Sequence, residues 1–282
     1  METIIEGKES KVIISREMPT VIIGERINPT GRKKVAAALK ENNMDHIVQE
    51  AIQQVEAGAH IIDVNVGVPG GVEEELLPQA VSKVADAVGA PICLDSSKPE
   101  ALEAALKVCP GRPLINSTTG EEDSLKTILP LASQFKVPLI GLTMDEKGIP
   151  KDADTRFSIA KKIVARARDL GISAEDVLID VLVMPIGADP ETGKVTFDTA
   201  RRVSEELGVN IVVGASNVSH GLPDRNIINA AFFAMGSVCG MTAFITDPIK
   251  TQLYQTILST DLLLGKDEWA SNYITAYRKL KV

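Results

Sequence analysis

The chain contains no long apolar run. None of its hydrophobic stretches approaches the ~18 residues that a membrane span needs, so none is expected. The first residues, Met1-Glu2-Thr3-Ile4-Ile5-Glu6, have no basic region followed by an apolar stretch, and no signal peptide is expected there. Cysteine is scarce. Cys93, Cys109 and Cys239 are odd in number, far apart and without a C-x-x-C, which reads as free thiols in a reducing cytoplasm. The three histidines, His46, His60 and His220, are scattered and no H-E-x-x-H occurs, so no His/Cys metal site is expected. There is no G-x-S-x-G and no glycine-rich phosphate loop. No lysine follows an apolar run directly, which argues against a Schiff-base aldolase. Lys plus Arg is 30 against 38 Asp plus Glu, a net charge of −8 with no basic cluster, and this argues against a nucleic-acid surface. No Gly/Ser/Pro linker divides the chain, so residues 1–282 read as one domain, with 1–19 a cap or short hairpin and 248–282 two closing helices.

What is present is a repeated pattern. Eight short apolar runs each stop at polar or small residues. They are Val21-Ile22-Ile23 before Glu25-Arg26-Ile27-Asn28, Ile61-Ile62 before Asp63-Val64-Asn65, Ile92-Cys93-Leu94 before Asp95-Ser96-Ser97, and Leu114-Ile115 before Asn116-Ser117-Thr118. Then come Leu139-Ile140-Gly141-Leu142 before Thr143-Met144-Asp145, Val177-Leu178-Ile179 before Asp180, Ile211-Val212-Val213 before Ser216-Asn217, and Ala243-Phe244-Ile245 before Thr246-Asp247. A near-continuous apolar run is how a strand buried on both faces reads. Cys93 in such a run and Cys239 in a helical stretch read as core filler. Helical patterns alternate with the runs, over residues 45–56, 74–88, 99–108, 123–135, 154–170, 197–207 and 223–239, with 248–264 and 266–279 at the end. The 282 residues also suit the ~250 of a (β/α)8 barrel. An open doubly wound sheet is the competitor, but it gathers its ligand groups at one switch point. Polar strand ends spread along the whole chain come together only in a closed barrel, at its C-terminal face.

The candidate site is therefore a set of acids and amides: Asp63, Asn65, Asp95, Asn116, Asp180, Asn217 and Asp247. A mouth of this kind suits a neutral ligand rich in N–H donors, such as an amino-pyrimidinone edge. A carboxylate accepts two parallel N–H bonds from such an edge, and an asparagine offers one donor and one acceptor. Asp and Asn also end strands because they favour turns and cap helices, so each residue alone has a purely local explanation.

Seven strings then occur in order: Gly24-Glu25-Arg26-Ile27-Asn28, Asp63-Val64-Asn65-Val66-Gly67, Cys93-Leu94-Asp95-Ser96, Ile115-Asn116-Ser117-Thr118, Gly141-Leu142-Thr143-Met144 with Gly148-Ile149-Pro150-Lys151-Asp152, Ile179-Asp180, and Ser216-Asn217-Val218-Ser219. Together they closely resemble the methyltetrahydrofolate:corrinoid methyltransferase family, from about Val21 to about Leu263. That family includes the enzyme serving the corrinoid iron–sulfur protein in acetyl-CoA synthesis. It also includes the folate components of bacterial O-demethylase and betaine-demethylase systems, and the folate module of cobalamin-dependent methionine synthase is a cousin.

The resemblance implies a pterin-binding TIM barrel, related to dihydropteroate synthase. It implies an enzyme that moves a methyl group between N5 of tetrahydrofolate and the cobalt of a corrinoid. It makes Asp95, Asn116 and Asp180 the residues that hydrogen-bond the pterin ring, and Asn217 the asparagine that approaches N5. Asp180 stands beside Asn217 in the catalytic set. Asp63 and Asn65 line the same mouth. Arg225 matches a family arginine that either faces the folate tail or starts a helix with a solvated head. The cobalamin is expected on a separate, transiently bound corrinoid protein, because no D-x-H-x-x-G pattern is present. A homodimer is implied, with the late helices around Trp269 and Tyr273 as its contact. His220-Gly221 replaces a glutamine of the acetogenic enzyme, and the segment 183–194 is variable in the family, so the pathway, the partner and the direction of transfer stay open. Dihydropteroate synthase activity and a non-catalytic folate-binding protein are the alternatives. The former expects Asn-x-Thr-Pro-Asp-Ser-Phe and Ser-Arg-Lys strings, and Asn28-Pro29-Thr30-Gly31 and Ser216-Asn217-Val218 stand in their places.

Overall fold

A computed structural model describes residues 1–280. All eight apolar runs are parallel strands: β3 (Val21–Ile27), β4 (Ile61–Asn65), β5 (Ile92–Asp95), β6 (Leu114–Thr119), β7 (Leu139–Leu142), β8 (Val177–Asp180), β9 (Val212–Gly214) and β10 (Ala243–Thr246). They pair in the order β8-β7-β6-β5-β4-β3-β10-β9. A parallel bridge between Ile179 and Ile211 joins the two outer strands and closes the ring. An antiparallel hairpin of β1 (Thr3–Glu6) and β2 (Lys11–Ile14) precedes the barrel.

The strands read as continuously apolar because their two faces are buried against different things. Val21, Ile23, Ile61, Cys93, Leu114, Ile140, Leu178, Val212 and Ala243 fill the barrel interior together with Ile5 and Ile14 of the hairpin, which plugs the bottom. Ile22, Ile62, Leu94, Ile115, Leu139, Ile179, Val213 and Phe244 pack outward under the helices. This alternation explains the site. Two residues beyond each inner apolar residue the chain faces inward again, one layer higher. Glu25 follows Ile23 in this way, as Asp63 follows Ile61, Asp95 follows Cys93, Asn116 follows Leu114 and Asp180 follows Leu178.

Helices α2 (Met44–Glu56), α3 (Glu73–Val88), α4 (Pro99–Leu106), α5 (Glu122–Phe135), α6 (Ala153–Asp169), α7 (Thr192–Arg202), α8 (Arg225–Val238) and α9 (Thr251–Leu263) lie close to the expected ranges. One more helix, α1 (Lys33–Lys40), follows β3 and was not anticipated. Helix α7 starts five residues before the expected Phe197 and continues as a π turn over Val203–Leu207. The last expected helix is interrupted: Trp269 and Ala270 have φ of 58° and 57°, and α10 (Ser271–Leu280) starts only after them. Among the described residues no helix is long and apolar enough to cross a membrane.

Candidate active site

Strands β4, β5 and β6 place four polar side chains in adjoining register, with Asp63 opposite Cys93, Asn65 opposite Asp95, and Asp95 opposite Asn116. Asn116 Nδ2 donates to Asp63 Oδ1 at 3.1 Å. Asp63 is 2% exposed. Burial, and then the charge of Asp95 beside it, push its carboxyl well above the ordinary carboxylate range. Burial also raises Asp95, while hydrogen bonds from Asn65 and from Asp63 favour its ionised form. The contact between the two carboxyls acts in opposite senses, raising Asp63 and favouring the charged form of Asp95. Asp95 lines the cavity at the mouth, where an N–H donor would be received. Asn65 Oδ1 accepts from Gly67 N at 2.9 Å, which folds the loop back and aims the amide at Asp95. A cavity of about 390 Å³ lies against this wall, lined in part by Asp95, Asn116, Thr119, Ser124 and Leu142.

Asp180 ends β8. Its Oδ1 accepts from Leu182 N at 2.7 Å, and the backbone N–H of Gly214 also donates to it. Burial nevertheless raises its carboxyl to about 6. Leu182 itself has φ of 61°, a costly conformation for a side chain of this size. A buried arginine holds the backbone there. Arg156 of α6 is 1% exposed and donates from Nη1 to the carbonyls of Val181 and Leu182, each at 2.8 Å, and from Nε to Pro150 at 2.9 Å. Thr196 Oγ1 donates to the Leu182 carbonyl at 2.9 Å. Thr143, read from the sequence as a strand end, donates through N and Oγ1 to the carbonyl of Asp180 at 3.0 and 3.1 Å. Neither Arg156 nor Thr196 carries a local sequence signal, because each reaches Leu182 from a different helix.

Asn217 differs from all of these. It sits in a 3-10 turn, Ala215–Ser219, directly after β9. It is exposed, and its carboxamide bonds no other side chain or backbone group among the described residues. Gly214 leaves it room: a Cβ there would stand 3.3 Å from Asn217 Nδ2. Arg225 packs under the same turn, donating from Nη2 to the carbonyl of Ser216 at 2.6 Å and from Nε to Ser219 Oγ at 3.0 Å. His220 is exposed at the end of the turn, and its N–H donates to the carbonyl of Asn217 at 3.1 Å.

Glu25 has no role in the sequence reading, whereas Asp247 is one of its candidate acids. Glu25 Oε1 accepts from Ser216 Oγ at 2.8 Å, and burial raises its carboxyl. Asp247 Oδ2 takes Arg26 Nη1 at 3.0 Å and Arg32 Nη2 at 3.3 Å, and Arg26 Nε reaches Glu50 Oε2 at 2.8 Å. This sector of the rim is therefore rich in arginine, which the strand endings alone did not indicate. Glu25 could have been found by counting inward positions from Ile23. Among the described residues no group of three or more His, Cys, Asp or Glu side chains is arranged to hold a metal ion.

Known proteins resemble the chain over most of its length. The model of the pterin binding enzyme family matches residues 24–247, the span from β3 to the end of the barrel. The chain is 32% identical over 270 residues to the methylcorrinoid:tetrahydrofolate methyltransferase of Eubacterium limosum, covering 93% of this chain and 97% of that protein. It is 25% identical over 262 residues to the methionine synthase of Mycobacterium tuberculosis, where 88% of this chain corresponds to 22% of the larger protein. Among solved structures, Yersinia pestis DHPS with a pterine–sulfa conjugate superposes with a TM-score of 0.69 at 17% identity, covering 94% of this chain and all of that one, a likeness of fold alone. With the family model spanning the whole ring of strands and a relative of nearly equal length, the chain belongs to the pterin-binding enzymes.

Proposed function

We propose that this protein is a methyltransferase that moves a methyl group between N5 of tetrahydrofolate and the cobalt of a corrinoid held by a separate protein. The observation that carries the reading is the pairing of a buried acid–amide wall with one asparagine left free at the same mouth. The ligand chemistry fits the wall. Asp95 and Asp180 present carboxylate oxygens to N–H donors of an amino-pyrimidinone, and Asn116, fixed by its bond to Asp63, offers the mixed edge of an amide. These residues bind and orient the ring.

Asn217 acts on the reacting nitrogen. A tertiary amine is a poor leaving group unless it gains positive character, and an N–H donor aimed at N5 supplies part of that without carrying a full charge. A carboxamide with no competing partner can turn toward N5 as charge develops, so its bond is stronger in the transition state than in the ground state. The corrinoid supplies the cobalt that gives or receives the methyl group. The remaining work of this chain is to hold the folate, shield it and keep the mouth accessible.

The full assignment of site residues is part of the proposal: Asn217 and Asp180 catalytic, with Asp95, Asn116, Asp63, Asn65 and Arg225 in the folate site. A single barrel domain, a reducing cytoplasmic setting for the three free thiols, a transient corrinoid protein and a homodimer belong to it as well. The dimer contact would use the apolar surface near the chain end, where Leu263 is 86% and Trp269 94% exposed and Tyr273 and Ile274 lie alongside.

The test is to mix the purified protein with methyltetrahydrofolate and reduced cobalamin, and separately with methylcobalamin and tetrahydrofolate, and follow the cobalamin absorbance. Methyl transfer in at least one direction is expected. No transfer in either direction, with free or protein-bound corrinoid, overturns the reading.

A further inference from the structure

A free carboxamide is useful only if the backbone that carries it stays put. The 3-10 turn Ala215–Ser219 packs against α8 and β10, the Val218 carbonyl accepts from Ile186 N at 3.0 Å, and three side-chain hydrogen bonds complete its support. Two come from Arg225, to the Ser216 carbonyl and to Ser219 Oγ. The third comes from two strands away in the sheet. Glu25 belongs to β3, Ser216 follows β9, and β10 lies between those strands in the sheet. Glu25 reaches over β10 to accept the hydroxyl hydrogen of Ser216, the residue before Asn217.

The setting of Glu25 indicates that this contact is more than incidental. Its carboxyl is desolvated, at a cost, and sits among Arg32, Arg225 and Asp247, whose charges partly offset one another. Among the described residues Ser216 is the one side chain that donates a hydrogen bond to this half-buried carboxyl. Arg26 and Arg32 both reach Asp247 in turn.

We infer that Glu25 is a positioning residue for Asn217, fixing the base of the turn through Ser216 while Arg225 fixes it through the Ser216 carbonyl and Ser219, so that the Asn217 carboxamide alone is free to move. This rests on the methyl-transfer role proposed for Asn217. It also gives Arg225 a task that needs no contact with the folate tail.

The experiment is a double-mutant cycle on the full-length protein, measuring turnover with methyltetrahydrofolate and reduced cobalamin alongside folate affinity by titration. Losing one hydrogen bond that aligns a transition-state donor is expected to lower kcat about tenfold in Glu25→Ala. Affinity is expected to stay within about twofold, because the ring is held elsewhere. Glu25→Gln keeps an acceptor and is expected to recover to within about threefold of wild type, and Ser216→Ala, a smaller change that breaks the same contact from the other end, is expected to fall with Glu25→Ala. In an Asn217→Ala background, adding Glu25→Ala is expected to change kcat by less than about twofold, since the group being positioned is gone. Losses that multiply in the double variant, or a Glu25→Ala that loses affinity as much as turnover, overturn the inference and leave the role of Asn217 intact. An Asn217→Ala protein with undiminished turnover contradicts the proposed function itself, and the inference with it.

Discussion

The two halves of the barrel mouth are built on opposite principles. From β4 to β8 the polar side chains are buried or half-buried and bonded to one another or to backbone: Asp63 to Asn116, Asn65 to Asp95, Asp180 to Leu182, with Arg156 locking the loop behind. From β9 to β3 the polar groups serve mainly to hold a turn, and the residue at its crest is exposed and unbonded. A fully wired wall suits a ligand edge that is the same before and after reaction. A single loose donor suits an atom whose charge changes. Binding energy from the first half can then be used to place the substrate, and the second half can respond to the transition state.

Three perturbations address this division. The largest effect is expected from Asn217→Ala, which should lower turnover by about 100-fold, the loss typical of removing one transition-state hydrogen-bond donor. Steady-state kinetics with saturating folate reads it directly. Asp95→Asn is the mirror image. It should weaken folate binding by about 30-fold, the cost of a charge-assisted pair, while turnover at saturation stays within about threefold. A result in which the two variants lose the same quantities erases the distinction between the halves.

The smallest effect is in pH. Asp180 holds its proton up to about 6 in the fold, against 3.8 for an ordinary aspartate. Between those values the folded chain binds more protons than the unfolded chain, so this group's contribution to stability falls as pH rises through the window and is constant above it. The melting temperature of wild type relative to Asp180→Asn should therefore rise by about a few degrees on going from pH 7.5 to pH 5. Folate affinity should move the other way, weakening as pH drops below about 6, because only the ionised carboxyl accepts both N–H bonds. Stability and affinity that fall together on acidification contradict the placement of Asp180 in the binding wall.

The eight strands were legible because a strand buried on two faces leaves a short apolar run, here repeated in alternation with helical patterns, and period-two alternation fixes which residue faces the mouth next. Asp63, Asp95, Asn116 and Asp180 follow from that rule. What escaped was tertiary. Helix α1 is short, starts without a side-chain cap and has no acidic first turn, so it leaves little mark. Arg156 reads as one more charge on a surface helix, yet it is buried under β8 because three carbonyls need its donors. Glu25 and Ser216 are 191 positions apart, a distance over which no local pattern operates.

The most direct test of the division is the affinity of Asn217→Ala for methyltetrahydrofolate, measured by calorimetric titration on the variant whose turnover has been lost. The expected dissociation constant lies within about threefold of wild type, since the wall from Asp63 to Asp180 is untouched and the missing group acts mainly in the transition state. An affinity that falls in step with turnover would mean that Asn217 is simply another binding residue, and that the two halves of the mouth do the same work.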